Sequence, residues 1–293
     1  MRFHLGLMFV AALCVPAVAD EPLTLKPNDR VALLGGTLIE REQKYGHVEA
    51  ALTLTHRNDG IVFRNLGWSG DTVYGDARAG FDNAAKGYER LVTLTKEVKP
   101  TVIVFCYGLN ESFDGVKGLD RFRKGYTKLL DDLAGTKARI VLMTPIPLED
   151  SPNAKPAAER NAMLATYCDV IRTLAKERTA ELVDLYAAFD RRRSPQEMTE
   201  NGIHLNANGY KAIASVLTSP PAVGAIPPEL LTKIQAKNEL FFHRWRPQNE
   251  TYLFGFRKHE QGKNAAEIVQ FDPLIAKAEA DIAAYLKTLP AAK

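Results

Sequence analysis

The chain has 293 residues, 46% hydrophobic and 25% charged, a balance that excludes a disordered or low-complexity protein. That length can bury one large core with appendages. A formal net charge of +3 is too small to mark a nucleic-acid surface by itself.

The first residues read as an export address. Arg2 precedes an apolar run over 5–15, followed by Pro16 and the small triplet Ala17, Val18 and Ala19. This is the layout of a secretory signal peptide over 1–19, which would leave a mature chain beginning at Asp20 in the periplasm or outside the cell. A membrane span needs about 20 apolar residues. Pro16 and Asp20 interrupt the run too early for that. Cys14 lies inside the signal, and Leu13 occupies the place where a small residue normally precedes a lipidated cysteine. Cys106 and Cys168 sit in apolar elements and read as buried free thiols rather than a disulfide. The cysteine spacing matches neither a zinc pair nor a haem attachment site, and no motif calls for a cofactor.

Strands and helices then alternate. Residues 30–34 (RVALL) form a short apolar run ending at Gly35 and Gly36, followed by a helical pattern through about 56. A second strand is predicted over 61–66. A polar loop containing Gly70, Gly75 and Gly80 leads from it to a helix over 88–98. Residues 101–106 (TVIVFC) are continuously apolar, as in a strand buried on both faces. A helix over 122–133, a strand over 139–143, a long helix over 157–176, a strand over 181–185 and a helix over 207–217 follow. Such β-α units with buried strands predict an α/β three-layer sandwich, a five-stranded parallel sheet covered by helices on both sides. Paired prolines at 220–221 and 227–228 punctuate the pattern and suggest a linker. The chain therefore divides into 1–19, a main domain over 20–218 and a mostly helical extension over 219–293. Within the extension, helices are expected over 229–240 and 273–286. Residues 241–259 interleave aromatic and basic side chains without regular period. That stretch fits a glycan or nucleic-acid platform, but an aromatic strip packing the extension onto the main domain is the reading adopted.

In an open parallel sheet, ligands bind outside the carboxyl ends of the strands. The first strand is followed by Gly35, Gly36, Thr37 and Leu38. The second is followed by Gly67, Trp68, Ser69, Gly70 and Asp71, and the third by Gly108, Leu109, Asn110 and Glu111. After the fifth comes the run Asn201, Gly202, Ile203, His204, Leu205, Asn206, Ala207, Asn208, Gly209, Tyr210. These four segments, in this order and spacing, resemble the blocks of SGNH/GDSL hydrolases, and the resemblance covers roughly residues 29–217. It implies a flavodoxin-like fold and an ester hydrolase. Thr37 falls at the nucleophile position, with oxyanion donors from its own N–H, the Gly70 N–H and the Asn110 amide, and His204 as general base. Read without the family, Thr37 and Asn110 could be helix caps and Gly70 loop punctuation. Ser69 sits in a near match to the Gly-x-Ser-x-Gly elbow, but Asp71 replaces the last glycine and no helix follows at once.

The pattern departs from the family at two places. The family's serine is Thr37, preceded by Gly36 where an aspartate is usual, and threonine's methyl stiffens χ1 and crowds the attack. The family's Asp-x-x-His has Asn201 in place of its acid, and Glu200, one residue off, could supply the carboxylate by a small loop shift. Two expectations follow from this. The first is an exported ester hydrolase acting on an acyl or acetyl ester, as of a carbohydrate, through a Thr37 and His204 centre. The second is a catalytically degenerate relative that serves as a carbohydrate-binding or assembly module.

Overall fold

The computed structural model describes residues 22–152, 156–191, 197–218, 226–247 and 249–290. The signal segment 1–19 and the prolines at 220–221 lie outside the described residues. Five strands, β1 (Arg30–Gly35), β2 (Val62–Asn65), β3 (Val102–Cys106), β4 (Arg139–Met143) and β5 (Glu181–Val183), form one parallel sheet in the order β2-β1-β3-β4-β5. This is the flavodoxin-like, doubly wound order. Every residue of β3 is buried, as a central strand covered on both faces requires.

The main helices are α1 (Thr37–Tyr45), α2 (His47–Thr55), α3 (Ala84–Glu97), α4 (Leu119–Leu133), α5 (Ala157–Arg178), α6 (Leu185–Arg191) and α7 (Ala207–Leu217). Alternate strand residues feed two cores. Val31, Leu33 and Val104 pack with Ile39, Leu52 and Ile213, from α1, α2 and α7. Ala32, Leu34, Ile103 and Phe105 pack with Leu91, Phe122 and Ile171, from α3, α4 and α5. Because α1, which follows β1, and α4, which follows β3, pack on opposite faces, a crevice opens at the carboxyl ends of these neighbouring strands. That crevice is the switch point where such folds bind ligands.

The single helix expected through 56 is two. Gly46 takes a left-handed conformation (φ 68°) between α1 and α2. The new helix start is capped from the helix before it: Glu42 accepts from the N–H groups of Val48 (2.7 Å) and Glu49 (3.1 Å). Burial pushes the Glu42 carboxyl up to about 8. Apolar spacing runs through the break unchanged, so it gave no warning. The strand expected over 181–185 stops at Val183, and Leu185 already begins the helix over 185–191.

The extension consists of α8 (Pro228–Trp245), the short turns α9 (Glu250–Leu253), α10 (Lys258–Gln261) and α11 (Ala265–Ile268), and α12 (Phe271–Thr288). Pro228 is the first residue of α8, a place where its missing N–H costs nothing. Leu230 and Ile234 of α8 pack with Ala50 of α2 and with Ile282 and Leu286 of α12. Lys237 forms a buried ion pair with Glu49 at 2.6 Å and donates to Asn238 Oδ1 at 2.7 Å. The stretch expected to be irregular from 241 stays helical to Trp245. Phe241 is buried beneath the Arg64 guanidinium, which lies 5.4 Å from its ring centroid. Phe254 and Phe256 are exposed, although Phe256 meets Phe81 of the main domain edge-on, with ring centroids 6.2 Å apart.

Candidate active site

Strand β1 ends at Gly35, and the chain turns through Gly36 directly into α1. A Cβ on Gly36 would stand 3.2 Å from both the Asn110 Nδ2 and the Asp71 carbonyl oxygen. Those two atoms are themselves joined by a 2.8 Å hydrogen bond, donated by Asn110. The glycine that replaces the family's aspartate thus makes room for the loops after β2 and β3 to meet.

Thr37 is the first residue of α1, so its N–H has no intrahelical acceptor. The hydroxyl does not cap the helix. It accepts a hydrogen bond from the Gly70 N–H at 3.1 Å. Gly70 has φ 72°, and a Cβ there would meet nothing within 4 Å. Backbone conformation rather than crowding calls for glycine at this position. Asn110 likewise makes no side-chain cap on the 3-10 turn that follows it. Ser69 does not join His204 in lining the cleft described below; its hydroxyl donates instead to Glu40.

His204 rides on a short hairpin closed by a bridge between Thr199 and Leu205, with the Glu200 N–H donating to the His204 carbonyl at 2.8 Å. The turn of the hairpin holds Gly202 at φ 80°, where a Cβ would lie 2.6 Å from the Glu149 carbonyl oxygen. Glu149 pins the hairpin to the loop after β4. Its carboxylate accepts from the N–H groups of Met198 (3.1 Å) and Thr199 (2.9 Å) and from the Thr199 hydroxyl (2.5 Å). Asn206 then caps α7 through the N–H groups of Asn208 and Gly209.

Asn201 Oδ1 accepts from the N–H groups of Ile203 (3.2 Å) and His204 (2.9 Å). The atom 3.2 Å from His204 Nδ1 is therefore the amide nitrogen, a donor. A neutral imidazole facing a donor at Nδ1 accepts there and carries its proton on Nε2.

Glu200 does not reach the ring. Its carboxylate accepts from the Tyr45 hydroxyl at 2.7 Å and pairs with Arg41 at 2.7 Å. The Tyr45 hydrogen bond, with Arg41 beside it, holds the Glu200 carboxyl below the usual range. The expected small shift toward the histidine would break both contacts.

Thr37, Asn110 and His204 line one cleft of about 50 Å³, together with Gly36, Arg41 and Ile203. Gly70 touches this group through the Thr37 hydroxyl. Among the described residues no hydrogen bond joins the Thr37 hydroxyl directly to the His204 ring. Beneath the cleft, Glu111 accepts from the N–H groups of Val73 and Gly108, both at 2.9 Å, and so ties the two loops that carry Gly70 and Asn110. Burial pushes its carboxyl up to about 7. Asp71 is buried against Arg78 (2.8 Å) and the Tyr107 hydroxyl (3.1 Å). Burial raises its carboxyl, and the guanidinium opposes that rise. Glu149, Arg41, Tyr45 and Arg78 escaped the sequence reading, since none stands in a recognisable block; Asp71 stands in one, but its pairing with Arg78 could not be read from it. Only the polar run Glu149, Asp150 just beyond a strand end hinted at a structural task.

A switch-point cleft that gathers a hydroxyl, amide donors and a histidine holds the kinds of group that ester hydrolysis uses. The chain belongs to the GDSL-like lipase/acylhydrolase family, whose match covers residues 30–212. No curated relative matches it in sequence. Among solved structures it resembles a catalytic mutant of Axe2, an acetylxylan esterase from Geobacillus stearothermophilus (17% identity, TM-score 0.53), over 68% of this chain and 96% of that one. It also resembles LAE5, an α/β hydrolase from the metagenome of Lake Arreo, Spain (19% identity, TM-score 0.52), over 69% and 98%. BT4096, a gut microbial diltiazem-metabolizing enzyme, matches at 16% identity and TM-score 0.51. There the alignment covers 68% of this chain and only 48% of that one. At these identities the likeness is one of fold. No helix among the described residues is long and apolar enough to cross a membrane.

Proposed function

We propose that this protein is an exported ester hydrolase that removes an acetyl or similarly short acyl group from an ester, a carbohydrate ester above all. The observation that carries the reading is the convergence of Thr37, Asn110 and His204 on one cleft at the ends of β1 and β3. A space of about 50 Å³ is small. One water needs roughly 10–15 Å³ on the same measure, so the enclosed part of the cleft suits an acetyl-sized group. The acetylxylan esterase activity of a protein of the same fold supports the choice of substrate class. The signal-like segment 1–19 supports export.

In this reading Thr37 Oγ1 attacks the ester carbonyl, and its proton passes to His204 Nε2. The Thr37 and Gly70 N–H groups and the Asn110 amide receive the developing oxyanion. His204 returns the proton to the leaving alcohol, and water then releases the acyl group from Thr37. The resting tautomer opposes the first step, because Nε2 already bears the proton when Asn201 donates to Nδ1. In a Ser-His-Asp triad on an unrelated fold the same acid-to-amide change lowers turnover by about ten-thousandfold. The enzyme is therefore a slow one in its present form.

The Asn201 donor also favours a second reading, a degenerate member that binds a carbohydrate without cleaving it. Steady-state hydrolysis of 4-nitrophenyl acetate, with His204→Ala as control, separates the two. Hydrolysis that falls to the background rate in the control supports the enzyme. Equal rates in both proteins leave the binding module.

A further inference from the structure

Residue 246 lies beyond the segment that matches the family, yet its side chain reaches the loop that carries Gly70. Arg246 follows the last turn of α8 and places its guanidinium 3.8 Å from the centroid of the Trp68 ring. The buried Arg78 guanidinium is also near that ring, 5.3 Å from the centroid. Arg246 also donates to Glu40 Oε1 at 2.6 Å. Glu40 is one turn along α1 from Thr37, and its other carboxylate oxygen accepts the Ser69 hydroxyl. Backbone contact closes the same junction. A Cβ on Gly67 would lie 2.3 Å from the Glu40 nitrogen, and the Trp68 N–H donates to the Gly35 carbonyl at 3.0 Å.

We infer that Arg246 is a positioning residue for the active site, holding loop 67–70 against α1 so that the Gly70 N–H keeps its place beside Thr37. The inference rests on reading Gly70 as an oxyanion donor. An oxyanion donor contributes only while it is held in place, and past the close backbone contact of Gly67 the exposed residues Ser69 and Gly70 are otherwise held by single hydrogen bonds. A planar cation stacked on an indole and paired to a carboxylate is a stronger tether than any of these. The extension is thus a working part of the site.

The test compares Arg246→Ala, Arg246→Lys and Arg244→Ala. Arg244 sits two residues away on the same helix end and pairs with Asp272, away from the loop. Hydrogen–deuterium exchange over residues 66–71 reports the tether without requiring turnover. Protection there should fall about tenfold in Arg246→Ala, partly recover in Arg246→Lys, and hold in Arg244→Ala. With 4-nitrophenyl acetate, kcat of Arg246→Ala should fall about tenfold with KM within about twofold, the pattern of a lost transition-state contact. Unchanged exchange over 66–71 in Arg246→Ala overturns the inference. If the parent protein shows no hydrolysis above background, the exchange result still decides the tether. The absent turnover then counts against the hydrolase reading alone.

Discussion

Asn201 presents an amide donor to His204 Nδ1 across 3.2 Å, so the ring's own proton is held on the nitrogen that a base must leave free. An aspartate would accept at Nδ1 and reverse the tautomer. Asn201→Asp should therefore raise hydrolysis of a simple acetyl ester. Thr37→Ser should add to this by removing the methyl that crowds the attack. Residues that act as a unit are non-additive, so the double variant should exceed the product of the single gains. The expected gain is at least about a hundredfold in kcat/KM, roughly 2.7 kcal/mol off the barrier. A double variant no faster than the parent, with circular dichroism unchanged, would refute the Thr37–His204 centre.

A second expectation concerns pH. Glu42 titrates near 4.5 when unfolded and at about 8 in the fold, where one oxygen caps α2 and the other is buried without a partner. A folded pKa above the unfolded one makes folding take up a proton between those values. Stability is then greatest below pH 4.5 as far as this group is concerned, and it declines as pH rises toward 8 by about 1.4 kcal/mol per unit. Glu42→Gln keeps an acceptor for both amides and cannot ionise. Urea unfolding at a series of pH values should show a flatter profile in the variant, with the variant the more stable near pH 8. Parallel profiles would mean that Glu42 is ionised in the fold.

The sheet was legible in the sequence because buried parallel strands announce themselves as unbroken apolar runs such as 101–106. The four blocks were legible because each combines glycine with polar residues in a short connecting segment. What escaped was whatever depends on a side chain reaching across the fold. Apolar periodicity runs straight through Gly46, and the group that makes two helices of one is a glutamate four residues upstream. Glu200 reads as a spare acid beside the histidine when only chain order is considered. Its partners, Arg41 and Tyr45, are more than 150 positions away along the chain. No local pattern encodes a contact of that separation.

Glu149 supplies three hydrogen bonds to the hairpin bearing His204. Charge-assisted bonds of this kind contribute about 1.5–3 kcal/mol each, though not additively. Glu149→Ala should lower stability by roughly 3 kcal/mol by urea denaturation and cost activity in greater proportion than Thr199→Ala. Full stability in Glu149→Ala would show that the hairpin is held by its own turn.

Export makes a claim about the first residue of the mature chain. Expressed with its own leader in a bacterial host, the protein should be recovered outside the cytoplasm beginning at Asp20. Cytoplasmic protein that retains Met1 would contradict it.

The ion pair between Lys237 and Glu49 bears on how the gene can be cut. Glu49 belongs to α2, inside the family-matched segment, while its cation comes from α8. A fragment ending at the linker would keep the carboxylate at the foot of α2 and lose its counter-charge. It would also bare Ala50, whose apolar cover comes from Leu230 and Ile234. Removing one partner of a buried pair typically costs about 3–5 kcal/mol, a large share of what holds a domain together. The family match ends at residue 212, yet the buried surroundings of α2 are completed by side chains of α8 and α12.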